Sequence, residues 1–190
     1  MPVTESLSHF VEHYLKSNPE LQVPYDAEWR SPCEHGEPFA HAVETGAGDP
    51  QQFIRWQPVK RSLADDFAGL ERALDTEVHA DIKAYFSAYW SSNLEAEAPD
   101  GHVSLILLWN PQDVDRLVEN LIGHALAQRR SKSPLSLFFA CTEPESELFL
   151  TVRNDTGEIQ LEKPGYQPIR PVAESLAQFL DLLVPAQIAE

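Results

Sequence analysis

The sequence predicts an α+β fold, a mostly antiparallel sheet flanked by helices, in a single domain over residues 1–190. Three observations carry that prediction. Strand patterns come as neighbours joined by short turns, which favours antiparallel pairing over helical crossovers. Helical patterns carry one apolar stripe, as helices laid on a sheet require. The composition, 43% hydrophobic and 23% charged over 190 residues, suits one good core and is short for two.

The elements follow in order. Val3, Leu7, Phe10, Val11 and Tyr14 recur at helical spacing, with Thr4 as cap, in a first helix that ends before Pro19. Residues from about 19 to 52 are rich in Pro, Gly and acid without a period, and read as a long irregular acidic loop packed by Tyr25 and Trp29. Phe53–Gln57 is a short strand. Ser62 caps a helix with Leu63, Phe67, Leu70 and Leu74 on one face, and a second follows with Val78, Ile82, Tyr85, Phe86 and Tyr89 inward. Leu94–Ala98 and Val103–Trp109 form a hairpin about Pro99-Asp100-Gly101. Asn110-Pro111 opens the clearest helix, striped by Val114, Leu117, Val118, Leu121, Ile122 and Ala125 and ended by Arg129, Arg130 and Lys132. Strands Ser136–Ala140, Leu148–Val152 and Glu158–Leu161 come next, the last two joined by Asn154-Asp155-Thr156-Gly157. A helix from Val172 to Leu183 closes the chain.

Charge is the unusual quantity: 30 Asp and Glu against 14 Lys and Arg, a net −16. Such a chain is repelled by nucleic-acid phosphates and anionic lipid, and attracted to basic partners. The competing reading is that the acid only keeps the protein soluble. Cys33 and Cys141 are isolated, as in a disulfide-free cytoplasmic protein, although their pairing stays open. The N-terminus lacks the basic and apolar regions of a signal peptide. The apolar runs Leu105–Trp109 and Leu135–Cys141 are far too short to span a bilayer.

Catalytic patterns are weak. His9-Phe10-Val11-Glu12-His13 matches a zinc-peptidase helix, but His9, Glu12 and His13 fall opposite the apolar stripe and are expected in solvent. Cys33, His35 and His41 could supply three zinc ligands but lack a fourth; a surface loop is the simpler reading. His124 borders the long helix's stripe, where a satisfied half-buried side chain is expected. No phosphate-binding glycine loop or nucleophile elbow is present, so neither cofactor nor metal is expected. Gly123, inside the best helix, suggests close approach of another backbone.

The acid is unevenly placed. Asp65, Asp66, Glu71, Asp75, Glu77, Asp81, Glu95, Glu97 and Asp100 are offset only by Arg72 and Lys83, and Asp113, Asp115 and Glu119 follow on the long helix. Together they are the candidate surface for a basic partner, against the plainer reading of a solvated face. Trp29 and Trp90 are the alternative docking groups.

Several segments resemble the Syd family. Trp109–Arg130 (WNPQDVDRLVENLIGHALAQRR) is similar to its central helix, and Phe67–Phe86 to its helix pair. Ser31-Pro32-Cys33, Trp56-Gln57-Pro58, Leu137–Ala140, Asn154–Ile159 and Ala173–Leu180 resemble the family in the family's order. The resemblance implies a SUKH-like α+β fold without catalysis. It implies a cytoplasmic protein held peripherally on the inner membrane's cytoplasmic face by SecY, the translocon channel, whose assembly it would monitor. An acidic concave surface would receive basic cytosolic loops of SecY, which carry excess Lys and Arg under the positive-inside rule. Kinship with the wider SUKH superfamily leaves an immunity-type inhibitor of a basic toxin as an alternative, and a metal-dependent hydrolase as a weaker one. The chain departs from the family in a longer Gly-rich acidic loop, Glu34 to Pro50.

Overall fold

The computed structural model describes residues 1–40, 51–144 and 146–188. Helix α1 (Val3–Ser17) buries Val3, Leu7, Phe10, Val11 and Tyr14. Its cap is Pro2, whose carbonyl accepts from the amides of Glu5 and Ser6, so Thr4 already lies in the first turn. The stretch expected to be irregular instead contains β1 (Gln22–Pro24) and β2 (Glu34–Ala40), which flank β3 (Gln52–Trp56) in a three-stranded antiparallel sheet. These strands are mostly exposed, so no apolar alternation announces them. Gly36, at φ 76°, allows the bulge between His35 and Phe39 that also admits Pro38.

Strand β4 (Val59–Lys60) pairs with β5 (Tyr89–Trp90). Between them lie α2 (Ala68–Leu74) and α3 (Ala80–Ala88). The former starts well after the expected Ser62 cap, and Leu63 is 80% exposed. The intervening segment is tied down otherwise: Asp65 pairs with Arg61, the Asp65 amide donates to Ser87, and Asp66 accepts from the Ala68 amide. Phe67 turns the chain into α2 from a left-handed conformation, φ 52°.

The main sheet has seven antiparallel strands in the order β11-β10-β9-β8-β7-β6-β12. They are β6 (Leu94–Ala98), β7 (Gly101–Leu105), β8 (Ser136–Cys141), β9 (Phe149–Arg153), β10 (Ile159–Glu162), β11 (Arg170–Ala173) and β12 (Val184–Pro185). Helix α4 (Pro111–Ser131) starts as its sequence demands, with the Asn110 side chain accepting from the Asp113 amide and Pro111 in the first turn. The closing helix α5 (Leu176–Asp181) is shorter than expected. Ser175 caps it, and Val172 belongs to β11.

The fold is thus α+β. One sheet face meets α1, α3 and α5: Phe139 packs edge-on against Tyr85 and Phe179, each at 5.7 Å. The other face carries α4, which buries Leu117, Leu121 and Ala125. The turn after β9 clasps the α2–α3 junction. Asn154 Oδ1 accepts from the His79 amide, and Asn154 Nδ2 donates to Glu77 O, both at 2.9 Å. Gly157, at φ 77°, lies where an added Cβ would meet the His79 ring at 2.8 Å, so only glycine fits.

Candidate functional site

The site grows out of strand register. Cα partners run Glu95↔Ser104, Ser104↔Cys141, Cys141↔Phe149 and Phe149↔Glu162, one row crossing five strands on a single face. Helix α4 covers only the far half of that row. There Glu162, 1% exposed, accepts from Ser136 Oγ at 2.7 Å, Thr151 Oγ1 at 2.9 Å and Gln128 Nε2 at 3.2 Å. His124 forms an edge-on cluster with the rings of Phe138 and Phe149, its Nε2 3.8 Å from Glu162 Oε2. Burial pushes the His124 pKa down, and Glu162 opposes the shift without reversing it.

Ser136, His124 and Glu162 assemble the residue types of a hydrolytic triad but not its geometry. The nucleophile and the acid of a triad address different ring nitrogens. Here Ser136 Oγ, at 3.4 Å, and Glu162 both face Nε2, and Ser136 donates to Glu162 directly. The cluster joins α4 to the sheet.

The described residues leave the near half of the row open: Glu97 and Cys141 are exposed, and Glu95, His102 and Ser104 half-buried. Glu95 Oε1 accepts from Ser104 Oγ at 2.8 Å. His102 bridges two carboxylates, Nε2 to Glu95 at 2.8 Å and Nδ1 to Glu97 at 3.2 Å. Partial burial works against protonating His102, but its hydrogen bonds and charge contacts with Glu97 and Glu95 prevail and raise its pKa. Among the described residues neither Glu95 nor Glu97 has a Lys or Arg partner. Glu143, whose Oε1 accepts from the His102 amide at 3.0 Å, extends the acid around the hairpin end.

The remaining predicted acids lie elsewhere. Glu71, Asp75 and Glu77 border a shallow depression with Arg72 at the α2–α3 junction, where Glu71 pairs with Lys83 at 2.8 Å. Lys83 holds the Glu71 pKa down through a hydrogen bond. Asp81 opens α3, Asp65 pairs with Arg61, Asp66 caps the Ala68 amide and Asp100 pairs with Arg170. Asp113 accepts from the Trp109 amide, while Asp115 and Glu119 are exposed on α4. The charge-dense stretch therefore separates into a hairpin group, a junction group and a helix group. The sequence reading missed His102, Ser104 and Glu143. The alternation in LEAEA and GHVSL was the available signal, since it places Glu95, Glu97, His102 and Ser104 on one face.

His9, Glu12 and His13 are exposed on α1, away from its buried stripe. Cys33 is buried, and burial pushes its thiol up to about 11; Cys141 is exposed, and both thiols are free. His35 is exposed, and His41 lies outside the described residues, as does the rest of the expected Gly-rich loop through Pro50. Trp29 and Trp90 are half-buried under guanidinium groups, Arg116 at 4.0 Å and Arg61 at 3.8 Å. Among the described residues nothing lies within 4 Å of a Cβ added at Gly123, contrary to close packing within this chain.

These features define an α+β domain whose main sheet carries a buried polar anchor under α4 and an open acidic strip beside it. A family model described as Syd protein (SUKH-2) matches residues 4–185. Protein Syd of Alteromonas mediterranea (strain DSM 17117 / CIP 110805 / LMG 28347 / Deep ecotype) is 36% identical over 187 residues, 97% of each chain. Protein Syd of Pseudoalteromonas atlantica (strain T6c / ATCC BAA-1087) is 35% identical, covering 96% of each. Protein Syd of Hahella chejuensis (strain KCTC 2396) is 34% identical, over 96% of this chain and 92% of that one. The chain belongs to the Syd family.

Proposed function

We propose that this protein is a binding module that docks on basic cytosolic loops of SecY, reaches the cytoplasmic face of the inner membrane only through that partner, and monitors translocon assembly. The observation that carries this is the pair Glu95 and Glu97, without a Lys or Arg partner among the described residues, on the open half of the cross-strand row. Asp65, Asp66, Glu71, Asp75, Glu77, Asp81, Asp100, Asp113, Asp115 and Glu119 add a field that steers basic segments toward it. Family membership and the net charge of −16 support the reading. No helix among the described residues is long and apolar enough to cross a membrane.

Binding to SecY-containing membranes at low and high salt tests it. Exposed charges are screened over about 8 Å at physiological ionic strength, so association slows and weakens as salt rises. Replacing Asp75, Glu77 and Asp81 together by Lys, or Glu95 and Glu97 by Lys, weakens docking while the protein stays folded. Binding indifferent to salt and to both reversals would overturn the reading. The net charge of −16 would equally serve a second use of the same acid, as an immunity-type inhibitor of a basic toxin. Capture of such a toxin, with no retention on SecY membranes, would select it.

A further inference from the structure

A cavity of about 250 Å³ lies at the end of the main sheet, on the face turned toward α5. Val103, Leu150 and Phe179 form its buried floor, with Leu161 and Val172 beside them. Its mouth is made of exposed residues: Asp100 at the β6–β7 turn, Glu143 after β8, Arg170 at the start of β11, and Leu182 after α5. Ligand pockets for small molecules run larger, about 300–1,000 Å³. An apolar space of about 150 Å³ already admits a benzene ring. The volume therefore suits one leucine or phenylalanine side chain.

Charge at the mouth indicates what carries that side chain. Arg170 is held by Asp100 at 2.7 Å, and nearby Lys163 is paired with Glu147. Glu143 has no Lys or Arg partner among the described residues, and its bond to the His102 amide places it beside the Glu95–His102–Glu97 strip. Acid thus exceeds fixed cation where the cavity opens. We infer that the cavity receives a single apolar side chain from a basic polypeptide segment that passes over the end of the sheet, its Lys or Arg residues lying along Glu143 at the mouth and along Glu97 and Glu95 on the opposite sheet face. The inference rests on the docking reading above and deepens it. Charge brings the segment in, and the buried side chain sets how long it stays.

The test uses a short lysine-rich peptide with one central leucine, and the same peptide with serine there. Both are titrated against the wild-type protein and against Ala98→Phe and Val172→Phe, which fill the cavity from opposite walls. Thermal melting first establishes that each variant folds, and either variant suffices. The leucine peptide binds the wild type about tenfold more tightly than the serine peptide, the gain expected from burying one such side chain. The filled variants erase that difference and leave the serine peptide's affinity unchanged. Equal affinity of the two peptides for the wild type, or a leucine advantage that survives filling, would overturn the inference. A wild-type dimer lost on filling would overturn it too, by assigning the cavity to a second copy. The double reversal Glu95→Lys with Glu97→Lys separates the two proposals. If it weakens both peptides equally and leucine brings no advantage, the docking reading stands and the cavity inference falls. If leucine matters and the reversal does not, the acidic-strip reading fails and the cavity stands as an apolar site alone, against the inference.

Discussion

The two ends of one cross-strand row hold the same chemistry and behave oppositely. Glu162 receives a hydroxyl from Ser136 and faces His124; Glu95 receives one from Ser104 and faces His102. Helix α4 covers the first cluster, where burial lowers the His124 pKa. The second is open, and its two carboxylates raise that of His102. Similar residue types thus become a buried anchor under a helix and an open charged strip beside it. Burial opposes the charged imidazole at both sites, and the carboxylates decide the outcome: one at 3.8 Å does not compensate at His124, while two at 2.8 and 3.2 Å do at His102.

The comparison can be broken most severely by removing the cover. Leu121 is fully buried on α4, and Leu121→Asp places an unpaired charge in the core. The expected outcome is loss of the cooperative thermal transition, because several kcal/mol is a large share of the roughly 5–15 kcal/mol that holds a domain together. A protein that still melts cooperatively near the wild-type temperature would refute the packing of α4.

Next in size is a matched pair of deletions. Glu162→Ala strands the buried donors of Ser136, Thr151 and Gln128, at about 1–3 kcal/mol for a group left unsatisfied. Glu95→Ala removes contacts at a half-exposed site, where about 1 kcal/mol or less is expected. Urea denaturation of both variants measures the gap, and equal losses would erase the contrast.

Titration gives the contrast a sign. A folded pKa below the unfolded value of about 6.5 means that the His124 contribution is present above that pH and lost as pH falls through the folded value. His102 works the other way: its contribution is full below about 6.5 and lost as pH rises through its raised folded pKa. NMR titration of the two imidazoles is expected to find His102 titrating above His124. In stability-versus-pH curves, His124→Gln flattens the acid side and His102→Gln the neutral side.

The smallest effect sharpens the picture of α4 itself. Gly123 is exposed and a Cβ there meets nothing within 4 Å, so Gly123→Ala is expected to stabilise by about 1 kcal/mol. Destabilisation on chemical denaturation would contradict the open surroundings of that position.

Local signals explain what was legible beforehand. Asn110 and Pro111 announced the start of α4, and its stripe named the residues it buries. The turns at Pro99–Gly101 and Asn154–Gly157 placed two hairpins. Where a signal was local but ambiguous, the reading slipped. Ser62 resembled a cap, yet Ser87 and the Phe86 carbonyl, distant in sequence, bind the Asp65 amide and the Arg61 guanidinium and hold that segment out of helix. Strands β1 and β2 bury too little to show a period, and exist because β3 lies between them. Density of charge suggested an acidic surface but not its division into groups, since several of the acids are occupied by Arg61, Lys83 and Arg170 from other elements.

By itself, then, the sequence determined the α+β class, the long helix with its buried stripe, and the alternation that puts Glu95, Glu97, His102 and Ser104 on one side of their hairpin. Those are properties of neighbouring residues, and a helical or two-residue period encodes them directly. Only the tertiary structure decided that α4 covers Glu162 and leaves Glu95 open, that the two histidines shift in opposite directions, and that an apolar cavity forms beside the acid. A period assigns a side chain to a face. Which segment comes to lie on that face depends on contacts between residues far apart in the chain, and burial, hence desolvation and pKa, follows from that placement alone.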